Sequence, residues 1–153
     1  MAVRRIGAVL AAVVALFGVV AVNASSAGAA PAIAEGTVVA IGDAPPIVGP
    51  VVEDLVAMAS TPSGAGWWAT SSEGAVRVAG DAIDAGGVPA ATRLNRPVVG
   101  MAGLPAGGGY WLAASDGGVF SFGAARFVGS TGAIRLNQPI VGMAATPTGR
   151  GYW

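Results

Sequence analysis

Hydrophobic positions fall into two regimes along this chain. From Ile6 to Val22 they run on without a polar or charged side chain. From Gly36 to Trp153 they come in short bursts, each cut by Gly, Pro or Ser-Asp-Gly clusters, the pattern of brief strands between turns. No stretch in this second regime sustains a helical period. "VVEDLVAMA" (Val51–Ala59) comes nearest, and its downstream counterparts are strand-like, so it is read as a strand.

The first regime reads as an export leader. Arg4 and Arg5 give a positive n-region, Ile6–Val22 an apolar h-region, and "SAGAA" the small residues of a cleavage site. Residues 1–29 are expected to be a signal peptide, helical in its apolar part and cut after Ala29, with residues 30–35 as a linker. The competing reading is an uncleaved anchor, since 17 apolar residues sit at the short limit of a spanning helix. The small residues that follow favour cleavage. Twin-arginine export is a lesser option, because "AVRRIGA" lacks polar and aromatic neighbours.

The second regime repeats itself. "RLNRPVVGM" (Arg93–Met101) returns as "RLNQPIVGM" (Arg135–Met143), and Pro105, Gly109 and Trp111 return as Pro147, Gly151 and Trp153, all at a spacing of 42. One copy earlier the spacing is 43: Trp68 matches Trp111, Glu73 matches Asp116 and Gly80 matches Gly123. A fainter copy holds "GTVVAIG" (Gly36–Gly42), which matches "GGVFSFG" (Gly117–Gly123). Copies are placed at about 36–66, 67–109 and 110–153, the last truncated.

Each copy parses into short strands. "PIVGMAAT" is followed by a Pro-Gly turn and then by "GYWLAAS". Asp116-Gly117 predicts a two-residue hairpin loop into "VFSFG", where Phe120 and Phe122 share a face. "ARFVGSTG" is a fourth strand candidate, ahead of the Arg-Leu-Asn linker. Four short antiparallel strands in about 42 residues match one β-propeller blade, with a β-solenoid as the alternative. The expected fold is all-β: a partial β-propeller of four-stranded blades behind an N-terminal signal helix. Blades covered on both faces explain apolar runs without clean alternation. Gly142 and Ala144 are expected to sit small-against-large beside Trp111 and Phe122.

"GYWLAASDGGVFSFGAARFVGSTG" (Gly109–Gly132) resembles a family of secreted actinobacterial-type repeat proteins. Their units read GYW-hydrophobic-S-DGG-[VI]-F-x-FG-D-A-x-[FY]-x-GS-x-G and are joined by RLN-x-P-[IV]-VGMA. Residues 93–153 match closely, 55–92 moderately and 36–54 faintly. The resemblance implies an extracellular, propeller-like array and no known reaction. Ala124 departs from the family's Asp, which Asp81 and Asp43 keep, and Asp84 replaces the aromatic at Phe127, so the middle copy is expected to pack less well. Closed propellers need roughly four to eight blades, so this chain reads as a fragment of a longer array. Made alone, it is expected to expose an unpaired strand edge and to associate or precipitate.

Composition narrows the chemistry. All eight basic residues are Arg, and Cys and His are absent, which removes disulfides, thiolate sites and the commonest general base and metal ligand. With the leader gone, six Arg face eight carboxylates, so no basic field exists for nucleic acid. The acids are Glu35, Asp43, Glu53, Asp54, Glu73, Asp81, Asp84 and Asp116. Glu73 and Asp116 recur at hairpins, where turn chemistry is the ordinary reason. Asp81 and Asp84 lack the dense acidic loop of a calcium site and read as solvated loop acids. Trp67, Trp68, Tyr110, Trp111, Tyr152 and Trp153 could stack on sugars, but matched strand positions point to blade core. No G-x-S-x-G elbow occurs, and "GGGYW" is too short for a phosphate loop.

No catalytic, cofactor-binding or metal-binding residue is assigned. The expectation is a secreted or cell-surface, non-catalytic module for binding or scaffolding, with cell-wall glycan or extracellular protein as partner. It contacts a membrane only through an uncleaved leader, and further repeats of the same chain are expected. The alternative is the repeat region of a secreted glycosidase-like hydrolase whose catalytic residues lie elsewhere.

Overall fold

The computed structural model describes residues 54–153. The leader, the linker 30–35 and "GTVVAIG" of the faint copy lie outside the described residues. Within residues 54–153 the chain is all-β, with no helix. Six strands form two three-stranded antiparallel sheets. The first sheet holds β1 (Leu55–Ser60), β2 (Trp67–Ser71) and β3 (Val76–Ala79). The second holds β4 (Val98–Gly103), β5 (Gly109–Ala114) and β6 (Val119–Gly123). In each the order follows the chain, so every connection is a hairpin.

The two sheets are built alike down to their irregularities. β1 slips register against β2 between Leu55 and Ala57, and β4 slips against β5 between Val98 and Gly100, its repeat equivalent. Such a bulge adds local twist. A third hairpin follows, where Ala145 bridges Tyr152 and Ala144 and Trp153 exchange backbone hydrogen bonds of 3.0 and 2.9 Å.

The central strand explains the missing alternation. Every residue of β5 is buried, because one face meets the first sheet and the other meets the third hairpin. Trp68, Val98, Met101, Tyr110 and Leu112 form the first core, with Phe120 and Phe122 against it. Trp111, Ala102 and Leu104 form the second, with Met143, Ala145 and Tyr152 against it. Full burial of a side chain as large as Trp111 is worth several kcal/mol, about 3–5 on truncation to Ala.

Aromatic side chains stitch each unit to the next by one repeated rule. Trp68 and Tyr110 lie with ring centroids 5.5 Å apart, and Trp111 and Tyr152 at 5.4 Å. Each tryptophan donates its Nε1–H within its own unit, Trp68 to the Ile83 carbonyl and Trp111 to the Arg126 carbonyl, both at 2.8 Å. Each tyrosine donates backward to the preceding unit, Tyr110 to the Gly86 carbonyl and Tyr152 to the Gly129 carbonyl. Burial, followed by the charge of Asp84, pushes the Tyr110 hydroxyl up to about 12.

Three expectations need correction. The fourth strand expected over 125–132 does not form, so the sheets are three-stranded. That segment is held instead by the tryptophan and tyrosine side chains, which take the Arg126 and Gly129 carbonyls. Its counterpart contains Pro89, which has no N–H for a ladder. Gly142 and Ala144 are exposed and do not pack on Trp111. Strand alternation turns Met143 and Ala145 toward that ring. Phe127 is 59% exposed, so Asp84 at the matching position forfeits no core packing.

Candidate functional site

The β2–β3 and β5–β6 hairpins point to one end of the sheets, and there they meet the linkers. Each hairpin closes over three loop residues, not two. Gly117 N–H donates to the Ala114 carbonyl at 2.9 Å and Ala114 N–H to the Gly118 carbonyl at 2.8 Å. Gly117 takes φ 86°, the left-handed residue that a three-residue hairpin needs. Gly74 repeats this in the first sheet with φ 82°. Both positions are also crowded: a Cβ would lie 1.9 Å from Thr131 Oγ1 at Gly117 and 2.5 Å from Val88 Cγ2 at Gly74.

Backbone hydrogen bonds then tie two other segments to each loop. The Gly74 carbonyl accepts from Val88 N–H and the Gly117 carbonyl from Thr131 N–H, both at 3.0 Å. The next unit's first strand is anchored at the same place: Val98 N–H donates to the Ser72 carbonyl at 2.8 Å, and Ile140 N–H to the Ser115 carbonyl at 2.9 Å. Between these anchors the linker arches away from the loop and leaves a groove.

Two such grooves result, of about 530 and 420 Å³. The first lies between Ser72-Glu73 and the linker with Arg93, Asn95 and Arg96. The second lies between Ser115-Asp116 and the linker with Arg135, Asn137 and Gln138. They match position for position at the repeat spacing, and Arg96 lines both. Each combines one carboxylate with two guanidiniums. Among the described residues no ion pair or hydrogen bond engages Arg93, Arg96 or Arg135. One Asp116 oxygen is partly used, accepting from Gly118 N–H at 3.0 Å within the turn.

The carboxylates weighed for catalysis are not brought together. Glu73 and Asp116 occupy separate grooves, each the sole acid there. Cleavage of a glycosidic bond needs two carboxyls across one bond. Asp81 lies at the opposite end of the first sheet and Asp84 on the segment that returns from there to the hairpin; both are exposed loop acids, and both accept hydrogen bonds. Asp81 accepts from Ser63 Oγ and, at 2.7 Å, from Thr61 Oγ1, and these bonds hold its carboxyl below the usual range. Asp84 accepts from Gly86 N–H at 2.9 Å. Among the described residues no group of three or more His, Cys, Asp or Glu is placed to hold a metal ion. Trp67, Trp68, Tyr110 and Trp111 are buried core, as matched strand positions suggested, whereas Trp153 is 73% exposed.

Sequence reasoning saw the hairpin acids and the Arg-Leu-Asn linkers but did not join them. The available signal was their shared recurrence: Glu73 precedes Arg93 by 20 residues and Asp116 precedes Arg135 by 19. No protein-family model matches the chain, and no curated protein matches it significantly.

Proposed function

We propose that the chain is an exported, non-catalytic repeat module, blade-like units stacked in a propeller-style array, that binds an extracellular or cell-surface ligand along its hairpin–linker end. The reading is carried by one observation, the pair of position-matched grooves that share Arg96. Arg93 and Arg135 stand at matching positions in successive units, and Arg96, whose own counterpart is Gln138, serves both grooves. Export rests on the leader-type pattern of residues 1–29, and the non-catalytic character on the separation of Glu73 from Asp116.

The test uses the full chain with its leader, expressed in a bacterial host and followed by fractionation and by co-sedimentation with cell-wall material. The expected outcome is export, with sedimentation lost when Arg93, Arg96 and Arg135 are all changed to Gln. Retention in the cytoplasm, or sedimentation indifferent to those changes, would sink the proposal. Polysaccharide turnover by the purified chain would overturn the non-catalytic character.

A further inference from the structure

We infer that the ligand of this end is a linear acidic polysaccharide, its carboxylates held by the guanidiniums and its hydroxyls by the carboxylate and amide side chains; this rests on the binding-module reading above. The grooves are not simply basic. Glu73 shares its groove with Arg93 and Arg96, and Asp116 shares its groove with Arg96 and Arg135. A guanidinium only donates, and its fork matches a carboxylate. An ionised carboxylate only accepts, and it suits hydroxyl groups. Asn95 and Asn137 do both.

A ligand using all three must alternate negative charge with hydroxyl donors. Sugar acids in a chain have that composition. Polymers charged at every short step, such as polyphosphate or nucleic acid, would place a phosphate against Glu73 or Asp116 and be repelled. An acidic peptide offers carboxylates, but its extended backbone would seek a free strand edge, and the groove walls are linker and turn. Spacing agrees with a polymer. Sheets packed face to face lie about 10 Å apart, so neighbouring grooves fall within reach of one short oligosaccharide.

The experiment measures binding of the full-length chain to four probes: polygalacturonate, its methyl ester, dextran and poly-L-glutamate. The inference expects retention on polygalacturonate, weakened as salt is raised, and little on the other three. Arg96→Gln, which touches both grooves, should weaken binding by about tenfold or more, and Arg93→Gln by less. All three arginines are exposed, and unchanged thermal melts of the variants would certify folding. Equal binding to the methyl ester or to dextran, lost in Arg96→Gln, would overturn the acidic ligand while leaving the binding end intact. Equal binding to poly-L-glutamate would assign the end to acidic protein. No binding to polygalacturonate, or binding that ignores Arg96→Gln, would overturn the inference outright.

Discussion

At the scale of single residues, the two sheets solve one problem in two ways. The first sheet closes its loop end with Thr61 and Ser63 on Asp81. At the matching positions the second sheet has Leu104, Ala106 and Ala124, and Leu104 is buried in the second core. Donors and acceptor changed together, so neither version of this end strands a polar group at these three positions. Only the first version responds to acid. Because the folded Asp81 value lies below the unfolded one, its stabilisation is complete above the unfolded value and is lost as pH falls through the folded one. The melting temperature of the native chain should therefore drop more steeply below about pH 4 than that of Asp81→Ala. The double change Thr61→Leu with Asp81→Ala should recover much of the neutral-pH melting temperature lost in the single variant. Parallel pH profiles for native chain and single variant would refute this account.

At the scale of elements, the hairpins are set by glycine geometry. Gly117→Ala meets two costs, a left-handed φ of about 1–2 kcal/mol and the collision with Thr131. Gly64, with φ 74° and open space around it, meets only the first. Denaturant titration should find Gly117→Ala less stable than Gly64→Ala by at least about 1 kcal/mol, and equal midpoints would contradict the crowded loop. The strands themselves were legible from composition. "GYWLAAS" and "VFSFG" became β5 and β6 because aromatic and apolar residues between glycine turns have few other ways to be covered. The fourth strand was not legible. "ARFVGSTG" has strand composition, but its carbonyls answer to Trp111 and Tyr152, a choice that depends on neighbours distant in the chain. The grooves were hidden for the same reason, since each is formed by a few hairpin residues meeting a linker about 20 residues further along the chain.

At the scale of the molecule, the tyrosine bonds give the stack a direction. Tyr152 holds the 126–131 segment of the preceding unit, as Tyr110 holds the segment around Gly86. Damage should therefore travel toward the N-terminus. Tyr152→Phe removes a hydrogen bond worth about 1 kcal/mol, and amide exchange is expected to quicken roughly fivefold across 126–131 while β1 to β3 stay as they were. Such nearest-neighbour dependence is usual for repeat arrays, whose stability is a sum of unit and interface contributions. Faster exchange confined to 144–153 would mean that the bond serves its own hairpin.

Arg96 stands on the boundary of both grooves, and a side chain held in common makes neighbouring sites rivals for short molecules. Two monosaccharides competing for the same guanidinium would bind with negative coupling. A single longer chain crossing the boundary would engage Arg93, Arg96 and Arg135 at once and gain from effective concentration. On the proposed reading, affinity on this end should climb with oligomer length faster than site counting alone implies, so that length as well as composition would be discriminated.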